Sequence, residues 1–380
     1  MELASLQQRI RELATLPETD APVISCYVAI AKGRVKDRNV FEHQHRSIQH
    51  GWEGASGQDL AQARQRIEAY LAGGLLPNTK GAAVFSRAGD QPYFLPLQFR
   101  VPLPNWGAAD STPNIYHLVE LKDTYHRYVV MLCYETKARI LEVNLGSVTA
   151  HLWKERPELR QRVGREWTKE HYQNHRRNRT ERFIKEKVEI LEKLMSAGGH
   201  SHLILAGHPT MTSRVQSKLP KHLAEKLVDM VPAPREAADT DIVKATLASF
   251  IEQEEKESRA AADEVERQIR TGGLAVSGTE ASLRALRRQQ ADMLVIVRSF
   301  NPDPGWSCTL CGFVGVQQER PKACPECGAT ELQDVDVKEA MVKLAERQGC
   351  RVEVVNQSES LAGLGGVGCL LRYRLPDEYV

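Results

Sequence analysis

Short, nearly continuous apolar runs alternate along this chain with stretches whose apolar residues recur every three or four positions. The first pattern predicts buried strands and the second amphipathic helices. A helix over Leu6–Leu13 precedes the strand-like run Val23-Ile-Ser-Cys-Tyr-Val-Ala-Ile30. Leu60, Ala63, Ile67 and Leu71 mark a helix over Asp59–Ala72, and Ala82–Ser86 and Tyr93–Phe99 read as further strands. From His126 onward, Tyr128–Tyr134 and Ala138–Val143 are strands joined by the polar turn Glu135-Thr136-Lys137. A charged, mostly helical stretch from about Glu158 to Met195 leads to His202-Leu-Ile-Leu-Ala-Gly207, a central strand, then to a helix and the segment Val228–Val231. Beyond Pro232-Ala-Pro234 come a long amphipathic helix (Thr240–Arg270), Leu274–Val276, a helix over Glu280–Gln289 and the strand Met293–Val297. The chain ends with a helix over Val337–Gln348 and strands at Arg351–Val355 and Val367–Tyr373.

Alternation of strand and helix predicts an α/β fold class. At 380 residues the chain is too long for one ordinary core. Composition breaks suggest three α/β domains, 1–122, 123–234 and 235–380, the third interrupted by an insert over 302–331. Mixed charges with a formal net charge of +2 and no apolar run near the ~18 residues of a membrane span predict a soluble protein. The N-terminus lacks the basic-then-apolar pattern of a secretory signal, which makes a cytoplasmic location the expectation.

Within the insert, Cys308-Thr-Leu-Cys311-Gly312 and Cys324-Pro-Glu-Cys327-Gly328 are matched C-x-x-C-G knuckles. Thiolates three residues apart reach one ion if the chain turns tightly, and a following glycine permits positive φ. Cys308, Cys311, Cys324 and Cys327 together predict the closed tetrahedral shell of a structural Zn²⁺, with no position open for catalytic water. Cys26, Cys133, Cys350 and Cys369 stand in apolar surroundings and read as core thiols of a reducing compartment.

Residues 165–187 hold eight Lys/Arg against four Glu, with Trp167 and Tyr172 interleaved. Cations beside stacking surfaces suit RNA. The alternative is a solvated helix face with internal ion pairs. RNA is favoured because Arg176-Arg177-Asn178-Arg179 has only Glu181 at helical pairing distance. Leu364-Gly-Gly-Val-Gly368 precedes a strand rather than opening a helix, so a hairpin or bulge turn is expected there and not a phosphate loop. His208 has no local partner and reads as a loop histidine, with Pro209 starting the next helix.

The segment Leu364-Gly-Gly-Val-Gly-Cys-Leu-Leu-Arg-Tyr373 resembles the glycine-rich last strand of archaeal and eukaryotic peptide release factors. Gly273-Leu-Ala-Val276, followed by a helix and Asp292–Val297, is similar to the start of that family's last domain, where some archaeal members carry a cysteine-ligated zinc ribbon. The paired central strands, the basic helix and Leu203-Ile-Leu-Ala-Gly207 match as well. On these motifs the chain resembles a bacterial-type member of the archaeo-eukaryotic release factor superfamily, which includes Pelota and the hibernation factor Balon.

The resemblance implies a ribosome-binding factor that places its basic helix in the A site during rescue or hibernation. Arg165, Lys169, Arg176, Arg177, Arg179 and Arg182 would meet ribosomal RNA phosphates, and Trp167 and Tyr172 would stack on bases. P-site tRNA and a GTPase of the elongation-factor type are further implied partners, and no membrane is. The family's Gly-Gly-Gln tripeptide, which positions water for peptidyl-tRNA hydrolysis, is missing. Its place corresponds to Val163–Thr168, where Gly164 survives and Arg165 stands for the second glycine. Stop-codon-reading motifs are not evident in residues 1–120. Two alternatives stay open. One is a peptidyl-tRNA hydrolase with a divergent loop using Gly164 and Gln173; the other is a zinc-ribbon RNA-binding regulator acting off the ribosome.

Overall fold

Most of the apolar runs form strands, and the central ones lack polar alternation because both of their faces are covered. The computed structural model describes residues 3–35, 55–89, 91–135, 137–155, 169–316 and 320–374. Among these, several sheets with flanking helices make a mixed α/β fold.

The chain opens with α1 (Leu3–Ala14), β1 (Val23–Ala31), β2 (Arg34–Val35), α2 (Ala55–Gly73), β3 (Gly81–Arg87), β4 (Tyr93–Phe99), β5 (Trp106–Asp110) and α3 (Tyr116–Thr124). β1 is central, antiparallel to β2, β3 and β5, and β4 pairs with β3. α2 presents Leu60, Ala63 and Ile67 to Ile24, Cys26, Val28 and Val84. This is the helical spacing legible in the sequence.

Next come β6 (Tyr128–Cys133), β7 (Lys137–Asn144), β8 (Ser147–Glu155), α4 (Lys169–Gly198), β9 (His202–Gly207), α5 (Pro209–Gln216), α6 (Lys221–Ala224), β10 (Leu227–Pro232) and α7 (Asp239–Arg270). The sheet order is β10-β9-β6-β7-β8, with β10, β9 and β6 mutually parallel. Val129, Met131, Cys133, Leu203 and Leu205 pack in one core with Ile184, Val188, Leu191 and Met195 of α4. The intervening Tyr128, Val130, Leu132, Ile204 and Ala206 pack in a second core with Ile242, Val243 and Phe250 of α7. Side chains alternate across a strand, so two covering helices demand an unbroken apolar run. At Gly207 a Cβ would stand 2.4 Å from the Cys133 carbonyl oxygen, which admits only glycine.

The remaining elements are β11 (Ala275–Ser277), α8 (Thr279–Arg287), β12 (Ala291–Val297), β13 (Gly305–Cys308), β14 (Val314–Gly315), β15 (Leu332–Val335), α9 (Val337–Gln348), β16 (Arg351–Val355), α10 (Glu359–Gly363) and β17 (Val367–Leu371). They form a β11-β17-β12-β16 sheet and a separate three-stranded sheet, β14-β13-β15. Leu364–Gly366 form a turn leading into β17, as the expected hairpin or bulge turn would, but the turn is neither of those two kinds. Instead the glycines end α10: Gly366 N–H donates to Leu361 O and Gly365 N–H to Ala362 O, with φ of 75° and 95°. That pairing is the Schellman helix terminus. α10 is too short to leave a periodic signal, so the sequence shows the glycines and hides the helix they close.

By internal contacts the chain divides into two units, Leu3–Thr124 with Glu255–Val380, and Tyr125–Glu254. The Pro232-Ala-Pro234 break lies inside the second, because Ile242, Val243 and Phe250 beyond it complete that unit's core.

In the first unit, α9 carries Glu339, whose carboxylate accepts hydrogen bonds from Ile115 N–H (2.7 Å) and Tyr116 N–H (3.0 Å) at the start of α3. An anion at a helix N-terminus is favourable. Lys343 Nζ lies 3.6 Å from the same carboxylate and also bonds Thr112 Oγ1. At the other end of α3, Asp123 Oδ2 accepts from Val354 N–H at 2.7 Å, and Lys122 pairs with Glu346. Burial pushes the Glu339 carboxyl up to about 7, despite opposition from Lys343 and the two N–H donors. A carboxyl raised in the folded state holds its proton where the unfolded chain has lost it. Stability from this group is therefore greatest below about pH 4.5 and declines as pH rises to about 7, by on the order of 3 kcal/mol. Denaturant unfolding of Glu339→Gln is expected to show a flatter profile between pH 5 and 8 than the parent. Glu339→Ala, which leaves two buried N–H groups unpaired, is expected to lower stability by about 2–3 kcal/mol; parallel pH slopes for parent and Gln variant would contradict this account.

Candidate metal centre and basic helix

The two knuckles are built as their spacing requires. Gly312 N–H donates to Cys308 O and Gly328 N–H to Cys324 O, and the glycines take φ of 70° and 75°. β13 delivers Cys308, and Cys324 N–H is held by Ala329 O. The four sulfurs lie within 4.8 Å of one another. Sγ separations of 3.6 Å join Cys308 to Cys327 and Cys311 to Cys324. Two thiolates on one Zn²⁺ at ~2.3 Å stand about 3.8 Å apart, so this set fits such an ion.

The electrostatics point the same way. Hydrogen bonding from Cys311 N–H pulls the Cys308 thiol down to about 7. Phe313 N–H lowers Cys311 too, but partial desolvation and the neighbouring sulfurs of Cys327, Cys324 and Cys308 outweigh it and leave that thiol at about 12. Four thiolates cannot ionise together here without a cation to offset their repulsion. Cys308 and Cys324 are buried and Cys311 and Cys327 exposed, whereas Cys26, Cys133, Cys350 and Cys369 are all buried away from the quartet's sheet as core thiols.

Little apolar matter supports this small sheet. Trp306 stacks on Phe313 (centroids 5.4 Å, 19°), and Arg287 of α8 lies over the Phe313 ring at 3.9 Å while pairing with Glu326 at 3.2 Å. Gly315 makes room, since a Cβ there would meet the Trp306 ring at 2.4 Å. Nothing in the sequence pattern of α8 singled out Arg287; its partners lie some 26 and 39 residues on.

The basic stretch falls on α4, 30 residues and about 45 Å long. Gly164, Arg165 and Trp167 lie outside the described residues. Lys169, Tyr172, Gln173, Arg176, Arg177 and Arg179 lie on the helical backbone, with side chains outside the description. Arg182 is exposed. From Thr180 onward one face of α4 is buried, and Lys187 belongs to it: its Nζ pairs with Glu186 at 2.8 Å and lies 5.0 Å from the Phe183 ring centre. One of the eight basic residues thus turns inward. Its spacing from Phe183, Ile184 and Leu191 carried that signal. His208 is more than a loop residue, for it caps α5, with Nδ1 accepting from Thr210 N–H at 3.3 Å ahead of Pro209.

Comparison with known proteins follows the central unit closely. Residues 113–255 match the sequence model described as bacterial archaeo-eukaryotic release factor family 10. Peptide chain release factor subunit 1 of Thermococcus onnurineus is 25% identical over 231 residues. That match covers 54% of this chain and 56% of the relative, so it spans about half of that protein's length. Among solved structures, archaeal translation termination factor aRF1 is 17% identical with a TM-score of 0.26, covering 98% of this chain and 99% of its own. A ribosome-bound archaeal Pelota, from a model with ABCE1, is 12% identical with a TM-score of 0.42, covering 97% of this chain and 94% of its own. At those scores neither superposition carries weight. Over residues 113–255 the chain is thus similar to the bacterial archaeo-eukaryotic release factors, and its wider similarity is to an archaeal release factor subunit.

Proposed function

We propose that this protein binds the ribosome, occupies the A site in rescue or hibernation, and does not hydrolyse peptidyl-tRNA. The observation that carries the reading is the family match over residues 113–255, which includes the whole compact unit Tyr125–Glu254 and the basic stretch of α4. In this reading Arg165, Lys169, Arg176, Arg177, Arg179 and Arg182 bind ribosomal RNA phosphates, with Trp167 and Tyr172 as stacking surfaces. The chain contains no Gly-Gly-Gln, and Arg165 stands where the second glycine would be. A Cβ and a long cationic side chain deny the close backbone approach that glycine allows. The segments 1–122, 123–234 and 235–380 act as three functional parts, the last meeting the ribosome or a GTPase of the elongation-factor type. The cysteine quartet holds a structural Zn²⁺ that folds the ribbon, a stretch too small to bury a core of its own. The site of action is the cytoplasm. None of the described helices is long and apolar enough to cross a membrane.

Co-sedimentation with ribosomes is expected at low salt and to weaken steeply as salt rises. Changing Arg176, Arg177 and Arg179 together to Ala is expected to weaken binding about tenfold or more and to flatten the salt dependence. Undiminished binding by that variant, or no binding by the parent, defeats the proposal. Stalled ribosomes should retain their peptide when the protein is added; release that disappears in Gln173→Ala would favour a hydrolase. Metal analysis should find one zinc at the quartet. Cys311→Ser should release that zinc and expose Trp306 to fluorescence quenching, while far-ultraviolet circular dichroism stays close to that of the parent.

A further inference from the structure

Two arginines at one end of the β11-β17-β12-β16 sheet converge on a single carboxylate. Arg351, which opens β16, reaches Asp292 Oδ2 on β12 at 2.8 Å, and Arg372, just past β17, reaches Asp292 Oδ1 at 3.5 Å. Hydrogen bonding from Arg351 holds the Asp292 carboxyl below its ordinary value, which reports the positive field at this point. One carboxylate offsets only one of the two charges. The Arg351 and Arg372 side chains are 67% and 45% exposed, so both stay open to a second anion. Among the described residues, the two Nη atoms of Arg372 make no hydrogen bond or ion pair.

The backbone behind these cations is fixed. Arg372 N–H donates to Gln290 O at 2.8 Å, and the Gln290 side-chain amide donates to Tyr373 O at 3.5 Å. Arg374 bonds Gly273 O, just ahead of β11. The stretch after β17 is thereby held from both sides, and Tyr373, between its two arginines, is 46% exposed. Cations held in place lose less freedom when they meet an anion.

The class of partner follows from what surrounds the pair. A guanidinium fork matches phosphate in bidentate geometry, and an exposed tyrosine offers a base a stacking face. Of the six large apolar side chains exposed among the described residues, Leu274 and Tyr373 adjoin this end of the sheet. Two such residues do not make the apolar centre of a protein interface, whereas nucleic-acid interfaces are polar and positively charged.

We propose that Arg351, Arg372 and Tyr373 form an RNA-binding surface distinct from the basic stretch of α4. The two arginines clamp one backbone phosphate of a single strand, and Tyr373 stacks on an adjacent base. Asp292 aligns the guanidinium groups in the free protein. The surface rests on the ribosome reading only for the source of the strand, ribosomal RNA.

The test is anisotropy of fluorescein-labelled oligouridylate at low salt, with the full chain carrying Arg176→Ala, Arg177→Ala and Arg179→Ala so that α4 contributes little. Binding is expected to persist there. Adding Arg351→Ala and Arg372→Ala should weaken it about tenfold or more and lower the slope of log affinity against log salt by about one to two. Tyr373→Ala should weaken it about fivefold or more with the slope unchanged, and decides the matter if the arginine variant does not fold. No binding of oligouridylate, or undiminished binding by the arginine variant, overturns the surface. So does polyglutamate binding of equal strength that the same variant abolishes, which would assign the surface to an acidic protein. A chain that binds oligouridylate through this clamp but does not co-sediment with ribosomes defeats the ribosome reading and leaves the surface standing. Ribosome binding that the arginine variant leaves unchanged overturns ribosomal RNA as the strand.

Discussion

Covering a strand on both faces is the constraint from which most of this structure follows. β6 and β9 have no solvent side, so the residues from Tyr128 to Cys133 and from Leu203 to Ala206 alternate between two apolar cores, and His202 at the start of β9 is the buried polar exception. That requirement dictates an amphipathic helix on each face. It also explains why α4 changes character along its length. The stretch from Thr180 carries the apolar stripe that closes one core, while the sequence before it is dominated by charge. A helix anchored by its second half can present its first half to a partner without loss of core. The same logic appears where β17 meets α7: a Cβ on Gly368 would lie 2.8 Å from Val265 Cγ1.

The first unit solves a different problem, joining segments more than two hundred residues apart in sequence. It does so with charge as well as apolar contact. Glu339, Lys343 and Glu346 are all buried on α9, and each is engaged by a residue of the N-terminal segment. Buried charges seldom add stability over apolar residues of the same shape, but they penalise any arrangement that leaves them unpaired. Their effect here is to specify how α3 and α9 meet. The raised Glu339 carboxyl shows the energetic cost that accompanies that specificity.

The three-stranded sheet that carries the cysteines is the reverse case, with almost no core. Its order rests on the turn geometry of the knuckles and on the Trp306, Phe313 and Arg287 stack. Sulfurs gathered this closely repel once ionised, and the four cysteines are close enough to share one metal ion.

Local physics made much of this legible beforehand. Helical spacing in Asp59–Ala72, apolar runs at Tyr128–Cys133 and His202–Gly207, and C-x-x-C-G knuckles each depend on neighbours within a few residues, and each formed as expected. The glycine-rich terminal segment pointed to the family, although its local conformation proved to be a helix terminus rather than a hairpin. Long-range pairing left no such trace. The anchoring of α3 by Glu339, the hold of Arg287 on the small sheet and the meeting of Glu254 with two histidines all join residues whose spacing carries no period. Sequence by itself determined most of the elements, the knuckle turns and the likeness to release factors, because these arise from side chains acting on their own stretch of backbone. Tertiary structure alone decided which charges are buried and what they face, because burial is a property of the whole packed chain.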